Sequence, residues 1–178
     1  MYIVRLYGCF LLSEYLKRGI ITMKLAKWNE KVHAIFEDAS LYPDADFHYD
    51  VDDSGAYFCN NRFYAFYMPG ETIYGIGNND RKAPLSALFQ TAIKNGKLAN
   101  VNETVMLDCK KGKVRKLANE TCTAYVQEKF LRIFPKNTSY YICGHNRPVV
   151  AGIWENDKLN VIGIVMPIVG YRFLATNR

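Results

Sequence analysis

The chain has 178 residues, 49% apolar, 14% aromatic and 22% charged, which is enough apolar material for a packed core and excludes a disordered chain. No segment reaches the ~18 consecutive apolar residues of a membrane-spanning helix, and the five cysteines (Cys9, Cys59, Cys109, Cys122, Cys143) are scattered without a C-x-x-C pair. They form neither a disulfide framework nor a zinc site, and a reducing cytoplasm is the simplest setting. The net charge of +6 is uneven: residues 23–70 carry −4, whereas residues 1–22, 71–120 and 121–178 carry +2, +4 and +4, a balance that permits a polyanionic partner.

Residues 1–22 open with an apolar stretch, Leu6–Leu12, broken by Gly8 and followed by Glu14, Lys17 and Arg18. A secretory leader would need a small-residue cleavage site there. Met23-Lys24-Leu25 reads as a protein start, so residues 1–22 are expected to be an N-terminal extension to a single domain over 23–178. From Lys24 to Phe36, Leu25, Trp28, Val32, Ile35 and Phe36 recur at helical spacing. After Tyr42-Pro43-Asp44, strand-like segments follow at Asp46–Val51, Ala56–Asn60 and Arg62–Met68, the first two parted by Asp52-Asp53-Ser54-Gly55. The next stretch predicts an inserted helix over Leu85–Lys94, opened by Pro84 and closed by Asn95-Gly96. A hairpin is expected from Glu103–Asp108 and Lys113–Leu117 around Lys111-Gly112.

The last third repeats the order of the first. Thr121 or Thr123 is placed to cap a helix running to Phe134, with Val126, Phe130, Ile133 and Phe134 inward and Pro135 as its end. Strands are then expected at Ser139–Cys143, Pro148–Trp154 and Leu159–Met166, with Asn156-Asp157 turning between the last two. Ile35-Phe36 stand 98 residues before Ile133-Phe134, and Met68-Pro69 stand 98 before Met166-Pro167. Two helix-plus-three-strand units, 23–70 and 121–168, with residues 71–120 as an insert, are the economical reading.

Two tracts carry a resemblance. Ala34-Ile35-Phe36, Phe47–Val51 and Gly55-Ala56-Tyr57-Phe58-Cys59-Asn60-Asn61-Arg62-Phe63 are similar to the start of a DNA sliding-clamp domain, with Cys59-Asn60-Asn61 where clamps commonly have Thr-Asp. Tyr125–Phe134, Pro148-Val149-Val150 and Gly163-Ile164-Val165-Met166-Pro167-Ile168 resemble the helix and the two last strands of bacterial and phage clamp domains, although Arg172 comes later after Met-Pro than is usual. The resemblance covers roughly half of the chain. It implies an α+β clamp-like domain of two helix-plus-three-strand units on antiparallel sheets, with an inserted helix and hairpin. It also implies a processivity factor of DNA replication, of phage or mobile-element type, whose helices face DNA. Clamp chains carry several such domains and this chain has room for one, so a ring would require a homo-oligomer.

Phosphate binding of that kind needs basic residues on exposed helix faces and is independent of base sequence. Lys24, Lys27 and Lys31 stand at i, i+3, i+7 in the first unit, and Lys129, Arg132 and Lys136 at the same spacing in the second. The densest cluster is Lys110, Lys111, Lys113 and Arg115. A solvated surface explains such rows equally well. The resemblance further implies a partner groove near Val165, Met166, Pro167 and Ile168, where Met suits an adaptable apolar contact; a core strand is the plain alternative.

Catalysis finds little support. Asp50-Val51-Asp52-Asp53-Ser54-Gly55 opens like a calcium loop, but Asn61 stands where the bidentate Glu belongs. Asp44 after Pro43, with Asp108 and Lys110, imitates a magnesium-dependent PD-(D/E)xK nuclease. His33, His48 and His145 lack metal-ligand spacing, and Gly75-Ile76-Gly77 is only a fragment of a dinucleotide fingerprint. The expectation is a non-enzymatic DNA-associated protein without cofactor or metal, which also recruits a protein. The alternatives are a protein-binding module or inhibitor that has no DNA role, and the nuclease.

Overall fold

The computed structural model describes residues 25–41, 46–73, 83–106 and 113–169, and of residues 100–106 the backbone alone. Helix α1 spans 25–41. Trp28, Val32 and Phe36, one turn apart, bury their side chains almost completely, which is the stripe that periodicity predicts. The helix continues past Phe36 because Ala39 packs on the same core and Ser40 Oγ donates to the Glu37 carbonyl.

Three strands follow: β1 (His48–Asp52), β2 (Gly55–Cys59) and β3 (Tyr64–Pro69). The β1–β2 turn is fixed by Asp52, whose Oδ1 accepts from the Ser54 amide at 2.8 Å and the Ser54 hydroxyl at 2.6 Å. Gly55 is required there. Its φ is +154°, and a Cβ would stand 2.3 Å from the Met68 carbonyl oxygen.

Helix α2 (Leu85–Asn95) leads into the long strand β4 (Lys97–Met106), then β5 (Lys113–Ala118) and β6 (Thr123–Gln127). Helix α3 (Glu128–Leu131) follows directly, and the chain ends in β7 (Ser139–Ile142), β8 (Val149–Glu155) and β9 (Lys158–Val165). Asn156 and Asp157 both take positive φ, 51° and 57°, as a tight turn between twisted strands demands.

The nine strands form one antiparallel array in the order β1-β2-β3-β9-β8-β7-β4-β5-β6. The border between the halves is β3–β9, where Ala65 pairs with Ile164 and Phe66 with Gly163. These two pairs exchange under the 98-residue shift, since Ala65 maps to Gly163 and Ile164 maps back to Phe66. Outward from this border the order is β3, β2, β1 on one side and β9, β8, β7 on the other.

Helices cover both faces of the central strands, which is why β2 is buried along its whole length. On one face α1, α3 and the turn after α3 supply Trp28, Val32, Phe36, Phe130, Leu131 and Phe134 against Ala56, Phe58, Phe66, Met68 and Ile162. On the other, Leu85, Phe89 and Ala92 of α2 meet Tyr57, Ala65, Val150, Val161 and Ile164. Successive residues of β2 and β3 alternate between the two cores, the period of a strand. In β9 the register shifts opposite Ala151 and Gly152, a bulge that turns both Ile162 and Gly163 toward α3. Gly163 is needed for that approach: a Cβ there would lie 2.4 Å from the Phe134 ring.

One expectation is overturned. The helix from Thr121 or Thr123 to Phe134 is a strand followed by a single turn. Val126 belongs to a period of two, with Ala124 and Val126 buried and Thr123 and Tyr125 half-exposed, and Thr, Tyr and Val favour a pleated strand. Thr121 is no helix cap; Asn119 Oδ1 takes the Thr121 and Cys122 amides, both at 2.9 Å, and closes the β5–β6 hairpin. The two units thus differ in helix length. The first unit's Pro43-Asp44 turn, the Gly75-Ile76-Gly77 fragment and the Asp108–Gly112 segment lie outside the described residues. No helix among the described residues is long and apolar enough to cross a membrane.

Candidate nucleic-acid interface

Helix α3 ends after one turn because Pro135 cannot continue it; the Ile133 and Phe134 amides bond back to Phe130 and Leu131. This tight turn, with β5 and β7, encloses an open cleft of about 570 Å³. Its floor is apolar, made by Leu131, Phe134 and Tyr140, and its rim carries Arg115, Arg132 and Lys136. Burial pushes the Tyr140 phenol up to about 12, so it remains a neutral donor, held on the Leu131 carbonyl at 3.1 Å.

Glu128 organises the rim. Its Oε1 accepts from Arg132 at 2.8 Å and Arg115 at 3.2 Å, and its side chain is only 12% exposed against 72% for Arg132. The Arg132 hydrogen bond holds the Glu128 carboxyl below the usual range; desolvation opposes this and Arg115 adds to it. One carboxylate faces two guanidiniums and Lys136, so the rim keeps an excess of positive charge. Guanidiniums on such a rim are suited to phosphate oxygens.

The first helix touches this region. Lys31 Nζ donates to the Ile133 carbonyl at 3.0 Å and lies 5.7 Å over the Trp28 ring. Trp28 in turn stacks on Phe134, 5.6 Å between centroids. Of the predicted basic residues, Arg115, Arg132 and Lys136 therefore share one cleft, and Lys31 stands at its border. Lys27 is exposed on α1, Lys113 is exposed at the head of β5, and Lys129 folds over the Phe130 ring at 4.8 Å. Lys24, Lys110 and Lys111 lie outside the described residues.

Of the apolar run, Val165 and Pro167 are buried and Met166 and Ile168 half-buried. The Met166 amide donates to the Phe63 carbonyl and the Ile168 amide to the Tyr125 carbonyl, each at 2.7 Å, so this stretch is tied to the loop before β3 and to β6. Two acidic residues of the calcium-like loop, Asp50 and Asp52, accept hydrogen bonds from the protein itself. Asp50 takes the Ser86 amide and hydroxyl at 3.0 and 2.7 Å, and Asp52 holds Ser54 and Tyr57. Among the described residues no cluster of His, Cys, Asp and Glu is arranged to hold a metal. Asp44 and Asp108, the nuclease carboxylates, lie outside the described residues.

Sequence reasoning missed the role of Glu128. The Glu128–Arg132 spacing of four was a readable signal; the link to Arg115 on β5 was not. Comparison of the chain with family models, with curated proteins and with solved structures finds no match in any of the three.

Proposed function

We propose that this protein is a non-enzymatic, clamp-like nucleic-acid-binding protein of DNA replication or repair that grips the phosphate backbone on the cleft of Arg115, Arg132 and Lys136. The observation that carries this reading is the convergence of cations from two segments distant in sequence on one open cleft, with Lys31 of α1 at its edge. The matching strand order on either side of β3–β9, with α1 and α3 on one face, supports the clamp-like description. The single turn of α3 beside the long α1 sets it apart from a strict duplication. A protein partner docking on the closing run would meet Met166 and Ile168, the two residues of that run left half-exposed. Cys122 and Cys143 are thiols, in keeping with work in the cytoplasm. Encircling DNA would take several copies, and the mass of the DNA-free protein in solution decides between a ring and an open surface.

The test is DNA binding across a salt series. Retention should fall with rising salt, as counterion release requires. Arg132→Glu with Lys136→Glu should abolish most of it and flatten the slope of log K against log salt by roughly 2, at about 0.9 per phosphate contact for duplex DNA. Binding that ignores both salt and this double variant removes the reading.

A further inference from the structure

A half-exposed aromatic ring is held rigidly beside the cationic cleft. Phe63 lies in the loop between β2 and β3. Asn61 Oδ1 accepts the Phe63 and Tyr64 amides at 2.8 and 3.1 Å, and the Phe63 carbonyl accepts the Met166 amide at 2.7 Å. Both backbone groups of Phe63 are therefore committed. Its ring stacks on Phe130, centroids 5.0 Å apart and planes 16° from parallel, yet the residue stays 50% exposed. Covering Phe130 uses only one face of that ring. The other is offered to water by a fixed backbone, at a cost in apolar burial that a mobile or polar residue would avoid.

The surroundings are cationic. Lys129 Nζ sits 4.8 Å from the Phe130 centroid. Arg62, next in sequence to Phe63, is 80% exposed and bonded through Nε to Asp46 at 2.7 Å. Lys129 and Phe130 share the one turn of α3 with Glu128 and Leu131, and Arg132 caps it. Ring and cleft therefore flank the same short turn.

A pre-positioned ring flanked by cations suits a flat, neutral π-surface carried on a phosphate chain. Paired bases in a duplex keep their faces inside the stack, whereas unpaired bases expose them, and stacking on aromatic side chains tolerates any base. Resting on the phosphate-binding reading above, we infer that the Phe63–Phe130 pair is a stacking platform for an unpaired base of a single-stranded nucleic acid whose backbone runs onto the Arg115–Arg132–Lys136 cleft. The preorganised backbone means that little ordering cost is met on binding.

The experiment measures fluorescence anisotropy of the full chain with a labelled oligo-dT strand and with a blunt duplex of equal length, at one salt concentration. The single strand should bind more tightly. Phe63→Leu, which keeps an apolar cover over Phe130, should weaken single-strand binding by about 5- to 100-fold and leave duplex binding and the melting temperature almost unchanged; Phe63→Tyr should restore it. Phe63→Trp gives a readout independent of affinity: its indole emission should be quenched when oligo-dT is added. If Phe63→Leu changes neither ligand and the Phe63→Trp emission does not respond, while Arg132→Glu with Lys136→Glu weakens both, the platform is refuted. The phosphate reading then stands, and Phe63 faces a protein instead. If neither DNA binds at all, both readings fall.

Discussion

Glu128 is the residue on which the cleft turns. It places one carboxylate between Arg132 and Arg115, so it both orients the guanidiniums and holds back part of their charge. Glu128→Gln removes that counter-charge. The expected outcome is tighter, more salt-sensitive polyanion binding together with a lower melting temperature, read from anisotropy and thermal melts of the same preparation. The pH dependence follows from the depressed carboxyl. Its contribution to stability is complete above the ordinary glutamate range and is lost as pH falls through the lowered folded value. The melting-temperature gap between the parent and Glu128→Gln should therefore be full near neutrality and close in acid; a gap constant with pH would show that the ion pairs contribute nothing.

At the scale of elements, α2 shows how a helix is fastened to a sheet by a residue far from it in sequence. Pro84 provides no side-chain cap. Asp50 of β1 supplies one instead, through the Ser86 amide and hydroxyl, while Phe89 fills the core beneath Tyr57 and Tyr67. Asp50→Ala should cost about 0.5–2 kcal/mol, the usual loss for a helix cap, and Asp50→Asn, which keeps an acceptor, should cost less in denaturant melts. Equal losses would exclude the capping role. The extent of α2 was legible from Pro84, the apolar spacing and Asn95-Gly96. The identity of β6 was not, because Val126, Phe130, Ile133 and Phe134 keep a helical spacing, while Ala124 and Val126 alone carry the strand alternation. What decides it is the ladder offered by β5, where Arg115 pairs with Val126 and Leu117 with Ala124.

At the scale of the molecule, the halves are locked where β3 meets β9 and Phe134 lies against Gly163. Gly163→Ala would push a methyl into that ring and the Ala65 carbonyl, so we expect a loss of roughly 1–3 kcal/mol as for other overpacked cores, measured by urea unfolding; an unchanged midpoint would show that Phe134 can move aside. The strands after α1, the last three strands, the α1 stripe and the Asn156-Asp157 turn were readable from the residues alone, because alternation, helical spacing and turn chemistry are local. So were the basic residues as types. Which of them act together was not: Arg115 and Lys136 are brought to one rim only by the β5–β6 ladder and the turn at Pro135. The stacked Phe63–Phe130 pair joins residues that nothing in the chain's periodicity connects. Local pattern determined the elements and their faces; long-range pairing and packing, which depend on distances between distant segments, decided the site.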